Sequence, residues 1–338
     1  MIPAKHFFGH WLKPATCGLS GARKHRRAPF LRRFEYLRCL GQGAQGVVHL
    51  CRELSSSESY VAVKLARPQT ESRRCLNNEA EVLWALRGSH AVPQLRGLLY
   101  RDSRLSGFVT RYVAGQTLDR VLRKGRLSRK EVLSTAMATT EAVLSVLRRG
   151  YLHRDVKPEN LLLRSDGRVE LFDFGLACEL SATPRDEVSG TLAYSSPEQL
   201  DAGTLSSKSD LFSLGLVLFE IATGSVFFSG PATSFRSFVT YRTLHLRHGV
   251  RSLPEAKVES GLAGLIRRLL VADPSRRADV AEVQTRVERL TRVLSAPACA
   301  TAHRYCEQNA GENPRQRTSS GVGSRAHVRN GGGGCGPR

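Results

Sequence analysis

An α+β fold in two unequal parts is predicted: a small strand-rich part with one main helix, followed by a larger, mainly helical part. Three observations predict it. Phe34 to Leu40, Val47 to Arg52 and Tyr60 to Leu65 have the β-branched and aromatic content of short strands, separated by a Gly-rich and a Ser-rich turn. A helical stretch follows, in which Leu76, Leu83 and Leu86 recur at helical spacing. Further on, Ser128 and Glu131 form a capping box. It opens a helix whose Val132, Leu133, Ala136, Met137, Val143, Leu144 and Leu147 keep one face apolar until Gly150 stops it.

Within the first helix Glu79 shares the apolar face, whereas Glu81, about 200° from Leu83, faces away. Trp84 is expected to pack in the core beside it. A carboxylate turned inward needs a partner, because an unpaired buried charge is expensive. Lys64, at the end of an otherwise apolar strand, has the same need, so the two are expected to pair. The most apolar run, Leu211 to Phe228, is broken by Glu220 and Gly224 and reads as a buried helix rather than a membrane span. Val280, Val283, Val287, Leu290 and Val293 mark a closing amphipathic helix, which puts the end of the folded unit near Leu294.

Between these helices lies the stretch richest in chemistry. HRDVKPEN, His153 to Asn160, and DFG, Asp173 to Gly175, are joined by a segment that reads as a β-hairpin about Asp166-Gly167. A two-residue turn would set Leu162 against Leu171 and Asn160 against Asp173. An amide oxygen and a carboxylate would then sit about 5 Å apart, close enough to share one hard cation. Oxygen ligands of this kind suit Mg²⁺, which completes its shell with water and phosphate oxygens. That combination points to phosphoryl transfer. GQGAQGVV, Gly41 to Val48, would present backbone amides to phosphates. Its continuation is strand-like and leads to a Lys-bearing strand, which disfavours a dinucleotide-binding unit, where such a loop opens a helix.

Charge and cysteine usage narrow the setting. The net charge of +21 is uneven: residues 1–33 carry eight Lys or Arg and no acid, and residues 297–338 carry six Arg against Glu307 and Glu312. Both ends are expected to be disordered arms, 1–33 basic and 296–338 rich in Gly and Arg, flanking a domain over 34–295. The head, with KHRR at 24–27, reads as a flexible basic arm. A nuclear-import or anionic-surface patch and an organellar transit peptide stay open for it. An anionic partner is therefore a candidate, and a cytoplasmic or nuclear location is expected. The arms lack the interleaved aromatics of a base-stacking platform, so no specific nucleic acid is expected. Eight cysteines without a CxxC pair indicate neither zinc ribbon nor disulfide framework and fit a reducing compartment. Cys178 reads as a small packing residue, and His6, His10 and His25 as solvated side chains.

GQGAQGVV, the VAVK of Val61 to Lys64, HRDVKPEN, DFG and SPE at Ser196 to Glu198 occur in the order of the eukaryotic-type protein kinase superfamily, which residues 34–295 resemble. The resemblance implies the bilobal protein kinase fold and an ATP-dependent enzyme that phosphorylates Ser/Thr hydroxyls of protein substrates with ATP and Mg²⁺. It implies that Lys64, held by Glu79, pairs with the nucleotide phosphates, that Asp155 acts as base and that Lys157 neutralises the transferred group. Asn160 and Asp173 would be the metal ligands. Gly41, Gln42, Gly43, Ala44, Gln45, Gly46, Val48, Ala62, Thr110 and Leu162 would line the nucleotide. Lys157 and GTLAY, Gly190 to Tyr194, resemble the serine/threonine subgroup. Thr191 would brace Asp155 and Lys157, Glu198 would pair with Arg277, and Asp210 would anchor the catalytic loop. Arg154 matches kinases activated by a phosphate on the activation segment, for which Ser181, Thr183 and Ser189 are candidates.

Departures from the family pattern are local. Ser196 and Phe212 replace the usual Ala and Trp, Gln45 replaces a frequent aromatic, Arg111 follows the gatekeeper Thr110 where an acid is common, and Thr117 replaces a ribose-binding carboxylate. None removes a catalytic group. The alternative is a kinase-shaped scaffold that docks partners through the basic arms. Against it, Lys64, Asp155, Asn160 and Asp173 are all present. Glu159 favours a basic residue near the target hydroxyl and the positive chain favours acidic partners, so no substrate consensus follows.

Overall fold

The computed structural model describes residues 33–54, 59–182, 191–228, 253 and 258–295. Through Thr291 these belong to one compact unit, and a second unit begins at Arg292. The basic head, the Gly/Arg-rich tail, Thr183 and Ser189 lie outside the described residues.

The strand-rich part is a five-stranded antiparallel sheet of order β1-β2-β3-β5-β4, from β1 (Phe34–Gln42), β2 (Gly46–Glu53), β3 (Tyr60–Ala66), β4 (Leu95–Arg101) and β5 (Arg104–Arg111). Alternation sorts its faces. Val61 and Val63 of β3 join Phe34, Cys51, Leu99 and Val109 in one buried cluster. Ala62 and Lys64 take the other face, where register sets Val48 opposite Lys64 and Thr110 opposite Ala62. Helix α1 (Thr70–Ala85) packs on β3, β4 and β5 and buries Cys75, Leu76, Glu79, Ala80 and Leu83.

Trp84 does not join this face. It is 60% exposed, with the Arg87 guanidinium 4.6 Å over its ring. At about 100° per residue Trp84 lies past the edge of the buried arc that Ala80 marks, so the indole remains outside.

The helical part is built round α5 (Ser207–Thr223), which buries Leu211, Phe212, Leu214, Leu216, Val217, Leu218 and Ile221 and packs against α3 (Arg129–Leu147) and α6 (Ser260–Leu269). Gly215 permits the close approach of α6, since a Cβ there would fall 2.8 Å from Leu269 Cβ. The capping box of Ser128 and Glu131 is present at the start of α3. Short α2 (Leu118–Arg123) and α4 (Pro197–Leu200) complete the unit with α7 (Val280–Ser295), whose Val283 and Leu290 are buried. No described helix is long and apolar enough to cross a membrane.

The expected hairpin exists, but with a different register. After two short strands, β6 (Gly115–Thr117) and β7 (Tyr151–Leu152), β8 (Leu161–Arg164) and β9 (Val169–Leu171) pair Leu161 with Leu171 and Leu162 with Glu170, one residue away from the expected pairing. Its loop has three residues, Ser165, Asp166 and Gly167, closed by Arg164 N–H to Arg168 O at 2.9 Å. Gly167 takes φ +80°, the left-handed residue that ends a three-residue hairpin loop. Asn160 therefore stands opposite Phe172, whose N–H donates to Asn160 O at 3.0 Å, rather than opposite Asp173.

One buried ion pair closes the helical part. Arg277, 2% exposed, donates from Nη1 and Nη2 to Glu198 at 2.6 and 3.0 Å. Its remaining donors reach the carbonyls of Val271, Lys208 and Ala272 at 2.8, 2.6 and 3.0 Å. Every guanidinium N–H is thus used. Glu198 is held below its ordinary pKa: burial raises it, and the Arg277 hydrogen bonds outweigh that. Arg277→Met leaves Glu198 buried without its cation and should destabilise the fold by about 3–5 kcal/mol, read as a lowered urea midpoint.

Candidate active site

Two side-chain groups meet between the sheet and the helices. The first gathers on Lys64, whose stem lies along β3 with only 12% of the side chain exposed. Its Nζ pairs with Glu79 of α1, donates to Asp173 Oδ1 at 2.7 Å and reaches Gln45 Oε1 at 3.5 Å. Burial opposes the charge on Lys64, but the Glu79 and Asp173 carboxylates outweigh it and raise the pKa. Burial pushes Glu79 above the ordinary carboxylate range against the pull of Lys64. Asp173 goes the other way: burial raises it, and Lys64 more than compensates. Only three residues separate β3 from α1, and that short path still brings Lys64 and Glu79 together.

The second group gathers on Asp155. Its Oδ1 accepts the Thr191 N–H at 2.9 Å, and its Oδ2 accepts Lys157 Nζ at 2.6 Å and Asn160 Nδ2 at 3.1 Å. Lys157 Nζ also donates to Thr191 Oγ1 at 2.7 Å. Three donors on one carboxylate fix its plane. Asp155 follows a bend that only a strained residue can make, with Arg154 at φ +67°. Asp210 of α5 holds that bend by accepting two consecutive amides, His153 N–H at 2.6 Å and Arg154 N–H at 2.9 Å. Burial raises the Asp210 pKa against those stabilising contacts. His153 Nε2 lies 3.0 Å from Phe172 O and Nδ1 accepts the Asp155 N–H at 3.3 Å, a pair of contacts that fits the Nε2–H tautomer.

Asn160 spends Nδ2 on Asp155, on both O and Oδ2, which leaves the amide oxygen as its free donor to a cation. Asp173 stands one residue beyond Asn160's strand partner, in the left-handed region at φ +69°. The expected metal pair is thus offset rather than directly opposed. Among the described residues no cluster of three His, Cys, Asp or Glu could hold a metal. A cation on Asn160 and Asp173 would draw on water and phosphate oxygens, as Mg²⁺ does.

The remaining sequence-predicted residues frame this centre. Val48, Ala62 and Thr110 share the sheet face of Lys64, and Leu162 lies half-buried opposite Thr117. Gly41 and Gln42 close β1 and are exposed, as are Gly43 and Ala44. The loop makes a tight turn in which Gly43 N–H donates to Gly46 O at 2.9 Å, so that amide is used internally. Cys178 pairs with Leu152 across a two-residue ladder, and burial raises its thiol pKa, as suits a packing residue.

Several contributors carried no sequence signal. Asn78 donates to the carbonyls of Phe174, Gly175 and Ala177 at 3.0, 3.3 and 2.8 Å, tying α1 to the DFG turn. Gln199 Nε2 donates to Arg154 O at 2.9 Å. Glu170, 2% exposed, pairs with Arg164 at 2.6 Å and lies 3.8 Å from Arg111. An acid inside the apolar run VELF was the only hint of it.

The centre thus comprises a fixed carboxylate beside an ammonium group, and a lysine bound to two acids. Residues 34–287 match the protein kinase domain, and the chain belongs to that family. It is 30% identical to a probable serine/threonine-protein kinase of Clostridium perfringens over 264 residues, 74% of this chain and 37% of that protein. It is likewise 30% identical to serine/threonine-protein kinase PrkC of Bacillus subtilis over 263 residues, 74% and 39% of the two chains. To serine/threonine-protein kinase PAK 4 of Homo sapiens it is 26% identical over 247 residues, 72% and 41%. The chain thus spans about two fifths of the length of these curated relatives.

Asp210→Asn tests the support beneath Asp155. An amide offers one oxygen to two N–H donors, so a buried amide loses its acceptor. The variant should lose about 1–3 kcal/mol in urea denaturation with an unchanged m-value.

Proposed function

We propose that this chain is an ATP-dependent serine/threonine protein kinase that transfers the γ-phosphoryl group of ATP to Ser or Thr hydroxyls of protein substrates. The observation that carries the reading is the Asp155 carboxylate, oriented by Thr191, Lys157 and Asn160, together with the Lys64–Glu79–Asp173 group.

Each residue then has a task. Lys64, kept charged by its two carboxylates, holds the α and β phosphates. Asp155 orients the incoming hydroxyl and receives its proton as the oxygen bonds to the γ-phosphorus and the bond to ADP breaks. Lys157 neutralises charge on the group in transit, and Thr191 keeps Lys157 and Asp155 in register. Most of the rate gain comes from such positioning and charge stabilisation. Asn160 and Asp173 would hold Mg²⁺, which supplies neutralisation of the phosphate oxygens when bound. Val48, Ala62, Thr110 and Leu162 offer an apolar seat for the base, with Gly41 to Gly46 above the phosphates.

Regulation by phosphorylation of the activation segment is part of the proposal. Arg154, next to Asp155, would receive the phosphate, and Ser181 is the candidate inside the described residues. The kinase unit is proposed to end near Leu294, with the basic arms serving an anionic partner. No observation favours the scaffold alternative.

Incubation with labelled ATP and Mg²⁺ tests the activity. Transfer to the protein itself or to a generic Ser/Thr substrate is expected, falling by about 10²–10⁴-fold in Asp155→Asn and to background in Lys64→Met. Equal transfer in all three proteins would remove the basis of the reading. A chain ending at Leu294 should keep the transfer rate, and its unfolding would show that the domain extends further.

A further inference from the structure

The tip of the glycine-rich loop is held at three consecutive residues. Gly43 O accepts Arg67 Nε at 2.9 Å, and Ala44 O accepts Ser72 Oγ at 3.1 Å. Arg67 lies in the short path into α1, and Ser72 in the first turn of α1. The third residue, Gln45, sends its side chain inward: Oε1 lies 3.5 Å from Lys64 Nζ, and the carboxamide rests on Gly175. A Cβ at Gly175 would meet Gln45 Oε1 at 2.7 Å and Nε2 at 2.9 Å. A loop-tip amide therefore stands between the lysine and the DFG glycine, beside Asp173.

The chemistry of that position is unequal. Toward Lys64 the amide offers only its oxygen, at a long distance that makes a weak bond. Its two N–H donors have no hydrogen-bond partner among the described residues and suit anionic oxygens, to which hydrogen bonds are stronger than neutral ones. The α and β phosphate oxygens held by Lys64, and the terminal ones that a cation on Asp173 would hold, would arrive beside this amide. Resting on the kinase reading above, we propose that Gln45 is a substrate-positioning residue whose carboxamide leaves Lys64 and donates to the terminal phosphoryl group of ATP. The loop thereby reads the presence of the third phosphate. Arg67 and Ser72 hold the tip at the height from which that side chain reaches.

Titration of the full chain with ATP and with ADP, each with Mg²⁺, tests this without requiring transfer. Gln45→Ala should weaken ATP binding about tenfold while leaving ADP within about twofold. Gln45→Glu is the discriminating variant. A carboxylate satisfies Lys64 better than an amide does, but it repels phosphate, so ATP binding should fall below that of Gln45→Ala. Were Gln45 only a tether of the loop to Lys64, Glu would preserve or improve ATP binding, and that result would overturn the proposal. Equal losses for ATP and ADP, or no loss, would overturn it as well. Binding of neither nucleotide by the unaltered chain would instead overturn the kinase reading on which the proposal rests. Gln45 is half-buried and outside the sheet core, so the melting temperature should be unchanged in both variants.

Discussion

One ammonium group holds three parts of the molecule together. Lys64 comes from the sheet, Glu79 from the helix packed on it and Asp173 from the turn after the β8–β9 hairpin, and each is mostly withdrawn from water. None of the three charges would be tolerable there alone, because desolvating an isolated ion costs several kcal/mol. Grouped, the two carboxylates share the one ammonium. Shifting α1 outward or turning the DFG segment away would strip Lys64 of a partner. The cluster therefore makes the relative placement of strand, helix and hairpin a single cooperative property.

The second dependence runs through α5. Its Asp210 accepts the two amides that let Arg154 keep φ +67°, a conformation that costs a non-Gly residue of order 1–3 kcal/mol. Further along the same helix, Glu220 accepts the Tyr194 hydroxyl at 2.6 Å. At its beginning, Lys208 O receives Arg277 Nη1 at 2.6 Å, and Arg277 grips Glu198. Both sides of the Asp155 carboxylate are thus referenced to one buried helix: the catalytic loop through Asp210, and the Thr191 segment through Tyr194 and Glu198. A rigid helix inside the core is a better reference than either loop could be to the other.

Much of this was legible because it rests on local rules. The facing of Glu79 followed from helical spacing, and its need for Lys64 from the cost of burying a lone carboxylate. The capping box at Ser128 followed from residue types three apart. The hairpin was legible as a hairpin, but not in its register. Asp-Gly suits a two-residue loop, whereas here Ser165 joins it and Gly167 takes the left-handed position. That one added residue moves Asn160 from Asp173 to Phe172. Trp84 misled for a different reason, since its size suggests burial but its angle about α1 places it just beyond the packed arc. Asn78 and Gln199 were not legible because their partners are backbone carbonyls, and Glu170 was only hinted at because a contact to Arg164 across a hairpin or to Arg111 leaves no periodic mark on a sequence.

Departures from the family pattern are answered by neighbours rather than by distant adjustment. Arg111 stands where an acid is common, and lies 3.8 Å from the buried Glu170, in a strand otherwise apolar. Burial raises the Glu170 pKa, which Arg164 and then Arg111 pull back. Gln45 follows the same logic at the loop tip. An aromatic there could only shield, whereas an amide can accept from Lys64 and donate elsewhere. Gly175 is what allows it, since a side chain on the DFG glycine would take the space of the amide while Asn78 grips the same residue's carbonyl from the α1 side. Loop, helix and DFG turn therefore meet at one residue without a side chain. A methyl group there would meet the end of the Gln45 side chain, which would have to turn aside.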